Sequence, residues 1–325
     1  MKPVKTAILG TGVWAAHCLR ALRLTRGLEL VACHGNDPES LAAFVKQSGL
    51  PATRSEEELL DLPGLEAALI MTPNHVHCRQ AVAAASRGLH VFVEKPMAPT
   101  VEECQTMIAA ATARGSVMFV GHHMRREARF RKVAEILDGG EIGSVAFAEI
   151  NFTSSAGLTR DRSGWRFDTA RVPSPGLVQI GVHAIDLMNS ILGPAIGAEG
   201  WIRNDEQHDV CLGRLHFDGQ VAAQFATSYM VARTRDLRIA GSKCTVSTPH
   251  EGLVIVEPAD GKERRLIELP RNDTVLEQFE EFAECCRSGT TPSTGGLEGA
   301  QAVATMEALV LSAREGGLFR AIPTP

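Results

Sequence analysis

The first third of the chain alternates short apolar runs with longer amphipathic segments. The apolar runs of strand length are Thr6–Leu9, Glu29–Cys33, Ala67–Met71, His90–Val93 and Val117–Val120. The amphipathic segments of helical length begin near Val13, Pro38, Ser55, His75 and Thr100. Nearly continuous apolar strands separated by helices predict a parallel sheet that is covered on both faces. The pattern therefore predicts an α/β fold with a Rossmann-type domain over residues 1–121.

After Gly121 the predicted strands cluster and helices become few. The strand-like runs are Val145–Phe152, Gly197–Ile202, Val210–Phe217, Val221–Ser228, Leu237–Ala240 and Val254–Glu257. The predicted helices are Gly176–Leu192, Thr274–Arg287 and Leu297–Arg314. Asp218-Gly219 and Asp260-Gly261 favour hairpins, so residues 122–325 are predicted to form an α+β domain with a mostly antiparallel sheet. Its helices are too few to cover both faces, and the open face is expected to join subunits in a homodimer or homotetramer.

Charge and composition exclude several classes of protein. The chain has 33 basic and 38 acidic residues, whereas binding to nucleic acid or an anionic membrane needs a concentrated basic surface. No apolar run approaches the roughly 18–20 residues of a membrane span, and the first residues lack a signal-peptide pattern. The eight cysteines form no CxxC pair, which is typical of reduced packing thiols. We expect a cytoplasmic protein without a metal site.

A glycine-rich turn joins the first predicted strand to the first predicted helix. Gly10 permits a tight turn, Gly12 lets the backbone approach a pyrophosphate, and Ala15 lets the helix pack closely on the sheet. The helix N-terminus offers unpaired N–H groups and the positive end of a dipole. In this strand–turn–helix context the turn predicts a dinucleotide site. Its candidate cofactor-binding residues are Gly10, Thr11, Gly12, Val13 and Trp14.

The end of the second strand bears on which dinucleotide binds. NAD-specific folds carry an acid for the ribose hydroxyls about 20 residues beyond the glycine turn. This chain has Gly35 and Asn36 there instead. No carboxylate repels a 2′-phosphate and no arginine holds one, so the sequence allows NADP or NAD and slightly favours NADP.

Two further loops are expected at the same edge of the sheet. The segment Thr72–His77 follows the strand Ala67–Met71, and Glu94-Lys95-Pro96 follows the strand His90–Val93. The carboxyl ends of parallel strands share one edge, where open α/β sheets bind their ligands. The residue before a proline is pushed towards an extended conformation, which would fix how Lys95 is presented.

Together these segments resemble the Gfo/Idh/MocA oxidoreductase family, over essentially the whole chain. The segments that carry the resemblance are Gly10–Ala15, Thr72–His77, Glu94–Pro96, Trp165-Arg166 and Gly181–Leu187. The resemblance implies that Lys95 lies near the nicotinamide and a substrate hydroxyl, and that His183 is an acid/base candidate. The residues expected to line the cofactor are Thr72, Pro73, Asn74 and Glu94, with His77 as a further candidate in the same segment.

The segment around His183 is apolar nearly all round and is predicted to be a buried helix. Its polar residues Gln179, His183, Asp186 and Ser190 fall on one helical face, and a buried polar stripe needs partners or a water-filled cleft. A core histidine paired with Asp186 would also explain the pattern, but the stripe and the resemblance together favour an active-site face. Family members often carry an aspartate where this chain has Gln179, and glutamine cannot take up a proton.

These features predict hydride transfer between a nicotinamide and a hydroxyl-bearing carbon of a sugar, polyol or related small molecule, with Lys95 and His183 as the catalytic pair. Candidate substrate-binding residues are Gln179, Asp186, Trp165, Arg166 and His123. Two alternatives stay open: an NAD-dependent glycosidase of the same fold, and a non-catalytic dinucleotide sensor, which Gln179 favours. The basic run at residues 125–132 is interpreted as a solvated helix face.

Overall fold

The computed structural model describes residues 2–159, 164–168 and 172–323. The chain forms two compact units, one from residues 1–123 with 273–300 and the other from residues 124–272 with 301–325. Within the described ranges, no helix combines the length and apolar character that a membrane crossing needs.

The first unit contains the predicted parallel sheet, which is confirmed. Its strands are β1 (Val4–Leu9), β2 (Leu28–His34), β3 (Ala67–Ile70), β4 (His90–Val93) and β5 (Met118–Val120), in the spatial order β2-β1-β3-β4-β5. Its first helices are α1 (Val13–Leu24), α2 (Pro38–Ser48), α3 (Glu56–Leu60), α4 (His77–Ser86) and α5 (Val101–Thr112). Side chains cap three of them, because Asp37 accepts from the amide of Ser40, Ser55 from that of Glu58 and Thr100 from that of Glu103. β3 and β5 are buried along their whole length.

The second unit is built on a nine-stranded sheet. Its strands are β6 (Val145–Thr153), β7 (Gly197–Asn204), β8 (Asp209–His216), β9 (Ala222–Ser228), β10 (Thr234–Gly241), β11 (Cys244–Ser247), β12 (Leu253–Pro258), β13 (Arg265–Glu268) and β14 (Arg320–Ala321). Their spatial order is β13-β12-β11-β10-β6-β9-β8-β7-β14, and only β6 and β9 are parallel neighbours. The predicted, mostly antiparallel sheet is confirmed, although the short strands β11, β13 and β14 were not predicted.

The helices of this unit that precede β7 are α6 (Ala128–Asp138), the single turn α7 (Ala156–Thr159) and α8 (Val182–Leu192). The interpretation of residues 125–132 as a solvated face is wrong. Arg126 and Arg129 are both buried, and the guanidinium of Arg129 lies over the ring of Phe130 and beside the carboxylate of Glu127. Burial of Arg129 is possible because this ion pair and aromatic contact replace its hydration.

The closing helices are α9 (Thr274–Ser288) and α10 (Gly296–Arg314). The sequence placed α9 in the second domain, but the structure groups residues 273–300 with the first unit. The reason is aromatic packing: the ring of Phe279 lies 5.1 Å from that of Phe92, and the ring of Phe282 lies 5.8 Å from that of Phe119. α9 therefore completes the core of the dinucleotide-type sheet.

Candidate functional site

The glycine turn after β1 has the geometry of a phosphate-binding turn. Gly10 has a φ of +96°, and a Cβ there would lie 2.7 Å from the carbonyl carbon of Met71, so both conformation and space require glycine. Gly12 is the N-cap of α1, and apart from its chain neighbours and the backbone of α1 no described atom lies within 4 Å of where its Cβ would be. The start of α1 thus has room for an anion at its unpaired N–H groups, which fits a dinucleotide pyrophosphate.

The neighbouring candidates Thr11 and Val13 differ in placement. Thr11 is buried, whereas the side chain of Val13 is 84% exposed, so only its backbone belongs to the turn. A Cβ at Gly35 would lie 2.2 Å from the hydroxyl oxygen of Thr11. Glycine at position 35 therefore lets β2 end against Thr11, and this position carries no carboxylate.

The side chains of Asn36 and Asp37, which follow Gly35, both form local hydrogen bonds. The exposed Asn36 is held through its carboxamide oxygen, 3.2 Å from Nε2 of His34. The carboxylate of Asp37 accepts from the backbone N–H of Ser40 at 2.7 Å as the cap of α2. The hydroxyl of Ser40 in turn lies 3.4 Å from that of Thr11.

The loops after β3 and β4 are tied together by a buried histidine. Nε2 of His77 lies 2.8 Å from the carbonyl oxygen of Thr72, and Nδ1 lies 3.1 Å from that of Pro96 and 3.2 Å from that of Met97. Asn74 is buried in the short 3₁₀ turn that ends the first of these loops, directly before His77. Because both ring nitrogens of His77 lie within hydrogen-bond distance of backbone carbonyls, its side chain links the two loops.

The burial of His77 gives a testable pH dependence. Burial lowers its pKa to about 4, against about 6.5 in the unfolded chain, so on acidification the unfolded chain takes up this proton first. The stabilisation is complete above about pH 6.5 and is lost as the pH falls towards about 4, and it amounts to about 3 kcal/mol at most. Chemical denaturation should show a weaker decline of stability over this range in His77→Gln than in the wild type. Equal declines would contradict the assignment.

Glu94 and Lys95 follow β4, and the two are placed differently. Glu94 is buried, and its carboxylate accepts from the backbone N–H of Lys95 at 3.2 Å, while Lys95 is half-buried and precedes a cis peptide bond to Pro96. Burial raises the pKa of Glu94, although the charge of Lys95 and the indole of Trp14 oppose that rise. A Cβ at Gly121 would lie 3.0 Å from the carboxylate, so glycine there makes room for Glu94.

Trp14 and His123 form an aromatic contact in the first unit. The indole of Trp14 stacks on the ring of His17 at 5.0 Å and on that of His123 at 5.7 Å. Nδ1 of His123 lies 2.9 Å from the hydroxyl of Thr274 in α9. The structure thus gives His123 contacts with Trp14 and Thr274 inside the first unit.

In the second unit, the predicted helix around His183 begins with an irregular turn. Residues Leu177–Gly181 form a π-helical turn, and the α-helix α8 starts only at Val182. Such turns insert one extra residue and are frequent at functional sites. Gln179 lies in the π turn and His183 in the first turn of α8, and both are buried. His183 is buried, whereas Ser190 is exposed and donates to the carbonyl of Leu187, so the buried stripe ends at Asp186.

Asp186 is committed to an arginine. Nε of Arg125 donates to one carboxylate oxygen of Asp186 at 2.8 Å, and a terminal nitrogen of Arg125 bonds the other oxygen. Asp186 is 1% exposed and Arg125 14%, so this is a buried, bidentate ion pair. The carboxylate of Asp186 therefore fixes α8 to the segment before α6.

Gln179 faces the predicted substrate-binding arginine. The carboxamide oxygen of Gln179 accepts from Nε of Arg166 at 3.3 Å, and the guanidinium of Arg166 lies 4.6 Å from the ring centre of Trp165. The structure therefore brings Gln179, Trp165 and Arg166 together. An aspartate in place of Gln179 would form an ion pair with Arg166, whereas the neutral amide leaves the charge of the guanidinium uncompensated by residue 179.

Sequence reasoning missed Asp209, which anchors the start of the π turn. This buried carboxylate accepts from the hydroxyl of Ser174 at 2.6 Å, from the backbone N–H of Gly176 at 2.6 Å and from that of Tyr229 at 3.1 Å. A Cβ at Gly176 would lie 2.8 Å from the same carboxylate. The only sequence indication was Asp209 at the start of a strand, because its partners lie 33 and 35 residues earlier and 20 residues later.

Comparison with known proteins places these features in a family. Residues 4–122 match the GFO_IDH_MocA model, an oxidoreductase family with an NAD-binding Rossmann fold, and residues 130–247 match the GFO/IDH/MocA C-terminal domain. The chain is 28% identical to 1,5-anhydro-D-fructose reductase of Ensifer adhaerens, covering 91% of this chain and 92% of that one. It is 25% identical to scyllo-inositol 2-dehydrogenase (NAD(+)) of Bacillus subtilis, covering 89% and 88%.

A solved structure shows the same fold over the whole length. The crystal structure of a provisionally assigned NADPH-dependent oxidoreductase of Desulfitobacterium hafniense superposes with a TM-score of 0.91 at 25% identity. The match covers 99% of this chain and 98% of that one.

Proposed function

Because this chain belongs to the Gfo/Idh/MocA oxidoreductase family, we propose that it transfers hydride between NAD(P) and a hydroxyl-bearing carbon of a sugar or polyol. The observation that carries the proposal is the open start of α1 behind Gly10 and Gly12, at the sheet edge where Lys95 also lies. The sugar and polyol enzymes among its full-length relatives support the substrate class.

The residues of the first unit supply binding and position. The backbone N–H groups at the start of α1 would hold the pyrophosphate, and the segment Thr72–Asn74 would line the cofactor. The nicotinamide, when bound, accepts or gives the hydride. The buried carboxylate of Glu94 fixes the backbone of Lys95, and His77 fixes the loop that follows, so Lys95 is held at a defined place.

The residues of the second unit supply the remaining proton chemistry. We assign His183 the uptake or release of the hydroxyl proton, with Lys95 orienting that hydroxyl, or the reverse. Arg125 and Asp186 position α8, and Asp209 positions the turn that leads into it. Gln179, Trp165 and Arg166 are assigned to substrate hydroxyls, since amide and guanidinium groups both donate to oxygen.

A panel assay tests the function. The protein is incubated with NAD, NADP, NADH or NADPH and with aldoses, polyols and anhydro-sugars, and the absorbance of reduced nicotinamide is followed. Saturable turnover with a member of the panel is the expected result. Release of free sugar from a glycoside without lasting absorbance change would support the glycosidase alternative instead.

One observation favours a second candidate, a dinucleotide sensor. Gln179 is neutral where family members often carry an acid, so the buried wall beside His183 has one carboxylate fewer. Tight NAD(P) binding by calorimetry, combined with no turnover across the panel, would support the sensor and overturn the enzyme.

We infer that NADP is accepted at least as well as NAD, because position 35 offers no carboxylate. An aspartate at position 35 alone would collide with Thr11, so the informative variant is Thr11→Ala with Gly35→Asp. Its carboxylate should weaken NADPH binding relative to NADH by about tenfold, or about 1.4 kcal/mol, through charge repulsion. Dissociation constants for both cofactors would be measured, with Thr11→Ala as the matched control. An unchanged ratio would place residue 35 away from the 2′-position.

We propose that the open face of the nine-stranded sheet joins subunits. Trp201 in β7 and Leu212 in β8 are register partners, and both are about half-exposed, with Phe147 in β6 on the same sheet. Exposed apolar residues that share a sheet face are typical of interaction surfaces. Trp201→Glu with Leu212→Arg should convert the assembly to monomers in light scattering, whereas Leu24→Glu in α1 should not. An unchanged mass would refute this interface.

A further inference from the structure

A polar cavity of about 550 Å³ lies in the second unit, lined by four arginines. Arg129 comes from α6, Arg233 and Arg235 from the start of β10, and Arg271 from the segment before α9. The turn after β11 closes it with His250 and Glu251. Its volume lies in the range of small-molecule sites.

The floor of the cavity is rigid. Arg129 is 2% exposed, stacks on Phe130, lies 2.9 Å from the carboxylate of Glu127 and donates to the carbonyl of Thr248 at 3.4 Å. Arg235 also donates to the carboxylate of Glu127, through a long hydrogen bond of 3.4 Å. In the described part of the chain, Nε of Arg235 is buried without a hydrogen-bond acceptor. The single carboxylate of Glu127 thus pairs with two guanidinium groups, so this pairing leaves one positive charge unbalanced at the floor.

At the rim of the cavity, a single carboxylate again lies near two arginines. The carboxylate of Glu251 accepts a hydrogen bond from Arg233 at 2.5 Å and lies 3.5 Å from the guanidinium of Arg271. The side chain of Arg233 is 56% exposed and that of Arg271 is 82% exposed. Because both arginine side chains are long and exposed, they can change rotamer to contact a ligand while the backbone stays in place. A rigid guanidinium floor with movable arginines at the rim suits multidentate binding of phosphate or carboxylate oxygens.

The ionised side chains in and around the cavity carry a net positive charge. Four arginines face Glu127, Glu251 and the lining Asp236, so one positive charge remains with His250 neutral. Burial, together with the charge of Arg233, lowers the pKa of Arg235, and burial raises the pKa of Asp236. The lowered pKa of Arg235 reflects burial and repulsion between guanidinium groups, and an anion bound in the cavity would offset that repulsion.

We propose that this cavity binds a small organic dianion, a phosphate monoester or a dicarboxylate, through Arg233, Arg235 and Arg271. The probes are inorganic phosphate and malonate, titrated by calorimetry and thermal shift at constant ionic strength. The protein is kept saturated with NAD(P), so that the start of α1 is occupied. Chloride and glycerol serve as the screening and neutral controls.

The expected result is saturable binding of phosphate or malonate that is weakened about tenfold or more by Arg233→Ser with Arg271→Ser, since a hydrogen bond to a charged group contributes about 1.5–3 kcal/mol. The matched control is Arg203→Ser with Arg265→Ser, which removes two exposed, ion-paired arginines of the same unit. Binding of one probe and not the other assigns the chemical class. The proposal is overturned if neither probe binds, if chloride acts equally, or if both double variants bind alike.

Discussion

Replacing Lys95 by alanine is expected to lower kcat by about 10²–10⁴-fold, the usual contribution of a positioned proton-transfer group. Lys95 lies at the ligand-binding edge of the parallel sheet, and the buried Glu94 and His77 fix the backbone on either side of it. Because the phosphate-binding turn is a separate element, the Kd for NAD(P) should change little. The measurement is kcat and KM on the substrate that the panel identifies, with Kd taken from quenching of intrinsic fluorescence.

Two variants separate the role of Lys95 from general effects of charge. Lys46→Ala removes an exposed lysine of α2 and should leave kcat unchanged. Lys95→Arg keeps the charge but cannot release a proton, so it should be as slow as Lys95→Ala if proton transfer is the role. A normal kcat in Lys95→Ala would remove this residue from the chemistry.

The dinucleotide half of the molecule could be predicted from sequence because its determinants are local. Apolar runs such as Ala67–Ile70 are buried along their length, so their pattern is continuous and easily recognised. Gly10 needs a positive φ, and such a requirement leaves a glycine in the sequence. α9 could not be assigned to this unit from its pattern, because its partners Phe92 and Phe119 lie far earlier in the chain.

The second unit was harder to predict because long-range contacts decide its details. The pattern predicted one regular helix from Gly176 and did not indicate the π turn at Leu177–Gly181. The stripe correctly marked Asp186 as a buried polar residue in need of a partner, but that partner, Arg125, lies 61 residues away. The prediction that Arg129 lies on a solvated helix face was wrong for the same reason. Its ion pair and aromatic contact allow burial of a residue type that is normally solvated.

Breaking the pair between Arg125 and Asp186 should destabilise the second unit strongly. Arg125→Met removes the cation and leaves a carboxylate that is 1% exposed, and loss of one partner of a buried ion pair costs about 3–5 kcal/mol. For a unit of this size the midpoint of thermal unfolding should fall by about 10 °C. Because His183 lies one helical turn before Asp186, kcat measured well below the midpoint should fall as well.

A double variant distinguishes the buried charge from lost packing. Asp186→Asn in the Arg125→Met background removes the uncompensated charge and keeps the shape, so it should recover most of the lost stability. It should not recover kcat fully, since the bidentate link that positions α8 is still absent. Equal melting of Arg125→Met and the wild type would show that Asp186 finds its stabilisation elsewhere. The expected result, recovery of stability without full recovery of rate, would show that the pair positions His183.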